Sequence, residues 1–261
     1  MNSAANRFKV VIPARYGSTR LPGKPLLEID GKPMVQWVVD AACASGANEV
    51  LVATDDQRIV QALRNPRGAE SIAVMTGDQH RSGTDRIAEV ATQRRWSDDT
   101  IVVNVQGDEP QMPAQLIEQV AALLAAHPQA DMATLCTPIE SLEEFLNPNV
   151  VKAVSAADGM ALYFSRAPIP WHRDTAPAGL SSQSEFSGAM RHLGIYAYRV
   201  AALLRLTRLS PSSLELAESL EQLRALQAGM RIAIAAAATQ PGMGIDTPQD
   251  IERIRQLIAK N

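Results

Sequence analysis

Apolar residues follow two alternating rhythms through the first half of the chain. Short β-rich runs, FKVVIPA (8–14), EVLVAT (49–54), SIAVMT (71–76) and TIVVNVQ (100–106), predict strands. Between them PMVQWVVDAACASG (33–46), QRIVQALRN (57–65) and DRIAEVATQRR (85–95) carry apolar residues at helical spacing. Pro33 suits the first turn of its helix and Gly46 the end of it. After Pro113, AQLIEQVAALLAAH is a further amphipathic helix, and MATLCTPI (132–139) a further strand. Strands apolar on both faces, alternating with helices, predict a mostly parallel sheet with helices on both sides. Ligands of such sheets bind beyond the carboxyl ends of the strands. The loop after the first strand, TDD (54–56), GDQHRSGTD (77–85) and QGDEP (106–110) all fall at such ends.

The rhythm changes near residue 150. VVKAVSAADGMALYFSR (150–166) reads as two strands around AADG, and RHLGIYAYR (191–199) alternates as a third. WHRDTAPAGLSSQSEFSG (171–188) is polar and without period, so it reads as a loop. One helix is expected from Pro211 to Ala228, then a strand RIAIAAAA (231–238) and a last helix from Pro248. The expectation is one α/β domain over 1–261 with an antiparallel insertion that forms a dimer surface.

Composition narrows the function. The chain has 261 residues and a net charge of −3, without the basic excess of a polyanion binder. Aromatics make up 4%, too few for a base-stacking platform. Nucleic acid is therefore not an expected partner. Cys43 and Cys136 match no metal spacing and read as small apolar residues in a reducing compartment. MNSAANR has no apolar core of signal-peptide length, and no run suits a membrane span. A soluble cytoplasmic protein is expected.

The first loop, in VIPARYGSTRLPGKPL (11–26), gathers Arg15, Arg20 and Lys24 around Gly17 and Gly23. Glycines let backbone N–H groups approach phosphate oxygens, and cations neutralise them. The loop is one residue too long for G-x-x-x-x-G-K-[ST], with Pro25 in place of the hydroxyl, and it fails G-x-G-x-x-G. A bound triphosphate brings a metal that needs oxygen ligands. Asp108, just past a buried-looking strand, and Asp246, just before a helix start, are two such acids at βα junctions. Taken singly, each also reads as a turn or helix-dipole residue. In HRSGTDR, Ser82 or Thr84 can cap the next helix, and the same turn can read a base edge. Alternation places His192, Gly194, Tyr196 and Tyr198 on one strand face and Leu193, Ile195 and Ala197 on the other. That polar face suits an acidic small molecule, for which Arg166 can supply a cation. Glu221 and Gln222 flank a leucine face and, by spacing alone, read as solvated.

IPARYGSTRLPGKPL, NVQGDEP, ALYFSRAPIPW, RHLGIYAYR, LEQLRAL and GIDTPQD together resemble the sugar-acid cytidylyltransferases. RHLGIY with LEQLR points within them to the family acting on 3-deoxy-manno-octulosonate (Kdo), and the likeness runs from about residue 8 to the last helix. It implies a three-layer, Rossmann-like nucleotidyltransferase fold, CTP and Kdo as substrates, Mg2+ as cofactor, and a homodimer in the cytoplasm. It implies a CTP-binding half (8–149), a sugar-acid-binding and dimerisation region (about 150–230), and a return to the sheet carrying the metal-binding Asp (231–261). Carried over by motif, Ala14, Arg15, Lys24, Ser82, Gly83, Arg86 and Gln106 line the CTP site. Arg15, Lys24 and Asp108 serve catalysis, and Asp108 with Asp246 holds the metal. Gln106, Arg166, His192, Tyr196, Glu221 and Gln222 line the Kdo pocket.

Three positions depart from the family pattern: Gly17 in place of alanine, Arg81 of glutamine and Pro168 of threonine. None has an assigned chemical role. Rival readings are a cytidylyltransferase for sialic acid or 8-amino-Kdo, and a silent nucleotide-binding regulator. The paired acids argue against the regulator. A nicotinamide oxidoreductase lacks its glycine fingerprint.

Overall fold

The computed structural model describes residues 8–17, 21–68, 70–176, 178–242, 244–245 and 248–258. Among the described residues the strands run in chain order: β1 (Phe8–Pro13), β2 (Glu28–Ile29), β3 (Lys32–Pro33), β4 (Glu49–Thr54), β5 (Ala73–Met75), β6 (Ile101–Asn104), β7 (Met132–Pro138), β8 (Lys152–Ser155), β9 (Ala161–Ser165), β10 (Met190–Arg199) and β11 (Ile232–Ala236). The α-helices that join them are α1 (Met34–Ala44), α2 (Gln57–Ala62), α3 (Gly83–Gln93), α4 (Ala114–Ala126), α5 (Leu142–Leu146), α6 (Val200–Arg208), α7 (Ser213–Glu218), α8 (Gln222–Gln227) and α9 (Pro248–Ile258). The main sheet has the order β11-β7-β10-β6-β1-β4-β5. β10 runs antiparallel to both its neighbours, and the pairs β6–β1, β1–β4, β4–β5 and β7–β11 are parallel. β8 and β9 form the antiparallel addition, joined to the start of β10.

The buried strands feed two cores, one on each face of the sheet. Val10, Ile12 and Val103 pack with Val38 of α1 and Leu116 and Val120 of α4. Val11, Leu51 and Val102 pack with Ile87 and Val90 of α3, Leu203 and Leu206 of α6 and Leu223 of α8. This is the predicted three-layer α/β architecture, with both strand faces apolar because both are covered. A smaller cluster of Ile29, Met34, Ile245, Ile251 and Ile254 ties α9 to the β2–β3 hairpin.

Alternation along β10 holds across an irregularity. Leu193 pairs with Leu135 and Tyr196 with Thr134, so Gly194 and Ile195 are two extra residues on β10. Two extra residues in a structure of period two leave every side chain on its face. Leu193, Ile195 and Ala197 enter one core, Tyr196 and Tyr198 the other.

The helix expected over 211–228 is two. α7 ends at Ser219, whose φ of 52° breaks it, and α8 starts afresh after Glu221. The change of direction carries Gln222 inward to 8% exposure, so the solvated reading of Glu221 and Gln222 fails. α5, α6 and the β2–β3 hairpin were not anticipated either. No helix among the described residues is long and apolar enough to cross a membrane.

Candidate functional site

A cleft of about 270 Å³ opens beyond the carboxyl ends of β1 and β6. Ala14 and Arg15 leave β1 into it, Gln106, Gly107 and Asp108 leave β6, and Ser82 and Gly83 open α3. Two glycines let these loops meet over Pro13. A Cβ on Gly107 would lie 2.9 Å from the Pro13 carbonyl oxygen, and one on Gly83 3.0 Å from its ring. At Gly107 only a residue without a side chain allows the approach, and at Gly83 a side chain would make the Pro13 ring give way by a few tenths of an ångström.

The cationic loop is closed at its neck, where the Gly23 N–H donates to the Tyr16 carbonyl at 3.0 Å. Gly23 adopts φ 69°, turning Lys24 into a short 3₁₀ turn that aims it across the cleft. Lys24 Nζ meets Asp108 Oδ2 at 2.6 Å. The Arg58 guanidinium lies 3.4 Å from the centre of the Tyr16 ring, where ring and cation attract. Arg15 is exposed at the cleft, while Arg20 lies outside the described residues. A Cβ on Gly17 would meet nothing within 4 Å, so alanine would fit there equally well.

The start of α3 forms the opposite wall. Ser82 accepts from Asp85 N–H, and Asp85 accepts from Ser82 N–H, a reciprocal capping box. Ser82 is thus the cap, and Thr84 is free for another partner. Arg86 is nearly buried, its guanidinium bonded to Asp55 Oδ2 at 2.6 Å and to Thr76 and Gly77. It shapes the cleft wall as one half of an ion pair rather than as an open cation. His80, also in the wall, bonds to Glu89, whose carboxyl is held below its ordinary range by His80, Gly77 N–H and Gln93.

Behind this wall lies the polar face of β10. His192 packs edge-on against Phe164 at 4.9 Å and against Tyr196 at 5.3 Å, and its Nε2 is 3.0 Å from Thr134 Oγ1. Burial pushes its pKa down to about 3, so the ring is neutral at physiological pH. Tyr196 is buried with its hydroxyl unbonded among the described residues, and burial raises its pKa. Glu221 receives the Thr84 hydroxyl, and burial raises its pKa. Arg166 donates from Nε to Glu218 O at 2.6 Å and from a terminal nitrogen to Pro148 O at 2.9 Å. Those carbonyls orient its fork without cancelling its charge.

The structure therefore brings Ala14, Arg15, Lys24, Ser82, Gly83, Arg86, Gln106 and Asp108 around one cleft. His192 and Tyr196 share a wall, and Glu221 joins it to α3. Asp246 lies outside the described residues. Its chain neighbour Ile245 donates its N–H to the Asp108 carbonyl at 3.0 Å. Sequence reasoning missed Asn104 and did not pair Thr84 with Glu221. It also missed Glu109, whose Oε1 lies 3.7 Å from where a Cβ on Gly194 would stand. A β6 residue facing the antiparallel neighbour it pairs with leaves no mark in sequence spacing.

A doubly covered sheet with a cationic, acid-bearing cleft at the ends of its strands is the arrangement of a nucleotidyltransferase. Residues 9–232 match the family model described as cytidylyltransferase. The 3-deoxy-manno-octulosonate cytidylyltransferase of Thioalkalivibrio sulfidiphilus is 54% identical over 96% of this chain and 98% of its own. That of Pseudomonas fluorescens is 55% identical over 97% and 99%. A solved structure of CMP:2-keto-3-deoxy-manno-octonic acid synthetase complexed with CTP superposes with a TM-score of 0.85. It is 43% identical, over 97% of this chain and 99% of that one. The chain belongs to the 3-deoxy-manno-octulosonate cytidylyltransferase family.

Proposed function

We propose that the protein transfers the cytidylyl group of CTP to Kdo, giving CMP-Kdo and pyrophosphate. The observation that carries this reading is the cleft joining Arg15, Lys24 and Asp108, in a chain matched end to end by enzymes of that name. The anomeric hydroxyl of Kdo attacks the α-phosphorus and loses its proton. A new P–O bond forms there as the bond to the pyrophosphate oxygen breaks. Arg15 neutralises the α-phosphate region, Lys24 the β- and γ-phosphates, and Ser82, Gly83 and the Ala14 backbone border the nucleoside. Gln106, Arg166, His192, Tyr196, Glu221 and Gln222 receive the sugar acid, with Arg166 for its carboxylate and neutral His192 and Tyr196 for its hydroxyls.

The residues fit a divalent metal, for which the reading commits to Mg2+. Asp108 presents a carboxylate that is 40% exposed at the cleft, a hard oxygen donor. Such a site takes one or two carboxylates and completes itself with substrate phosphates, so no cluster of three acids is required. Asp108 and Asp246 would hold the ion. When bound, it neutralises phosphate charge and lowers the pKa of the attacking hydroxyl.

A homodimer in the cytoplasm completes the reading. Leu162 on β9, Leu180 in the following loop and Leu216 on α7 are 60%, 61% and 69% exposed, and all lie in the region after residue 150. Sedimentation at micromolar concentration tests it, and a monomer would remove it. For the activity, pyrophosphate release is measured from CTP and Mg2+ with Kdo and with N-acetylneuraminate. Release with Kdo alone is expected; release with N-acetylneuraminate alone would move the protein to another sugar acid, and release with neither would remove the reading.

A further inference from the structure

Thr84 occupies the second position of α3 and is buried to 4% exposure, yet its hydroxyl serves neither its own helix nor solvent. It donates to Glu221 Oε2, on the far side of the wall. An ionised Glu221 can only accept, so Thr84 must give it the hydroxyl proton.

Glu221 is placed to be steered in this way. It precedes α8 but makes no side-chain cap to it. Burial alone favours its protonated form, while the hydroxyls of Thr84 and Ser82 favour the ionised one. Ser82 and Gly83, next to Thr84 in the chain, line the nucleotide cleft. The Thr84 hydroxyl thus ties the start of α3, at the nucleotide cleft, to the residue that precedes α8.

We propose that Thr84 is a positioning residue, which holds the Glu221 carboxylate toward the sugar acid. The proposal rests on the reading that Glu221 contacts that substrate. Without the Thr84 hydroxyl, the carboxylate loses a charged hydrogen bond in a dry site, a loss worth about ten-fold in affinity or more. Glu221 is not among the residues that line the nucleotide cleft, so CTP affinity is expected to be spared.

Thr84→Val, Thr84→Ser, Thr84→Ala and Glu221→Gln are compared by steady-state pyrophosphate release, varying Kdo and CTP separately, with thermal melts of each. Thr84→Val is expected to raise the KM for Kdo about ten-fold, with the KM for CTP within about two-fold. Thr84→Ser, which keeps the donor, restores the parent value. Thr84→Ala, which removes the hydroxyl without adding a methyl in its place, moves the KM for Kdo the same way and decides the question if Thr84→Val does not fold. An unchanged KM for Kdo in Thr84→Val or, failing that variant, in Thr84→Ala, beside a raised one in Glu221→Gln, overturns the positioning role and leaves the contact standing. Equal rises for both substrates, or failure of serine to rescue, also overturn it. An unchanged Glu221→Gln removes the contact itself, and the inference with it.

Discussion

His192 tests how dry the wall behind the cleft is. The Thr134 hydroxyl lies 3.1 Å from the Leu193 carbonyl and 2.8 Å from that of Ile195, so its proton goes to one of them. Its oxygen therefore accepts from His192, which assigns the proton of the neutral imidazole to Nε2. Charging the ring means adding a proton at Nδ1 between Phe164 and Tyr196, and burial lowers the pKa from 6.5 to about 3. The folded value lies below the unfolded one. The stabilisation is whole above pH 6.5 and is lost as pH falls toward about 3, because only the unfolded chain takes up the proton in that interval. Each pH unit is worth about 1.4 kcal/mol, so about 3 kcal/mol is lost by pH 4.5. Part of the residue still meets solvent, and water entry would halve this to about 1.5 kcal/mol.

The assay is urea unfolding at pH 7.5 and pH 4.5 for the parent and for His192→Gln, which keeps a donor for Thr134. Carboxylates titrate alike in both proteins and cancel in the difference. The parent should lose about 1.5–3 kcal/mol more than the variant on acidification. Parallel losses, or an imidazole NMR resonance that titrates near 6.5, would refute the dry wall.

Four further outcomes follow from the site. Asp108→Asn should cut turnover by about a thousand-fold or more while CTP binding, followed by calorimetry, changes only a few-fold. Lys24→Met should raise the KM for CTP at least ten-fold yet lower stability by only about 1 kcal/mol in urea, since its partner is 40% exposed. Gly107→Ala forces a methyl to within 2.9 Å of a backbone oxygen, and should cost about 2 kcal/mol and most of the activity. Arg86→Met leaves Asp55, with 18% side-chain exposure, without its guanidinium, and should cost about 3 kcal/mol by the same assay.

The elements legible in the sequence are those whose period is decided by burial. β1, β4, β7 and β10 stand where apolar runs and alternation placed them, because each is covered on both faces. The elements that escaped are short or depend on a turn. α5 has five residues, too few to show a period. The break at Ser219 rests on a left-handed conformation in a residue that seldom adopts one, with no glycine or proline to mark it. α6 shows a clear helical spacing of Ala202, Leu203 and Leu206, but it follows β10 with no loop between them, so the run reads as an extension of the strand.

At the site, the sequence showed which charges gather but not how they are balanced. Three like charges around two glycines pointed to an anion, and nothing in their spacing showed that Lys24 already has a carboxylate 84 residues away. In the folded chain Lys24 and Asp108 neutralise each other, with 12% and 40% side-chain exposure. A pair that open to water is worth about 1 kcal/mol or less, so it holds the loop in place yet parts readily. On the reading given above, Lys24 would turn from Asp108 to phosphate oxygens, and the Asp108 carboxylate would then be open to hold the metal, so neither charge would be stranded. The acid comes from β6 for a steric reason. Of the strands flanking β1, only β6 delivers its loop onto Pro13 through a glycine, which brings a carboxylate within reach of a lysine turned inward by Gly23.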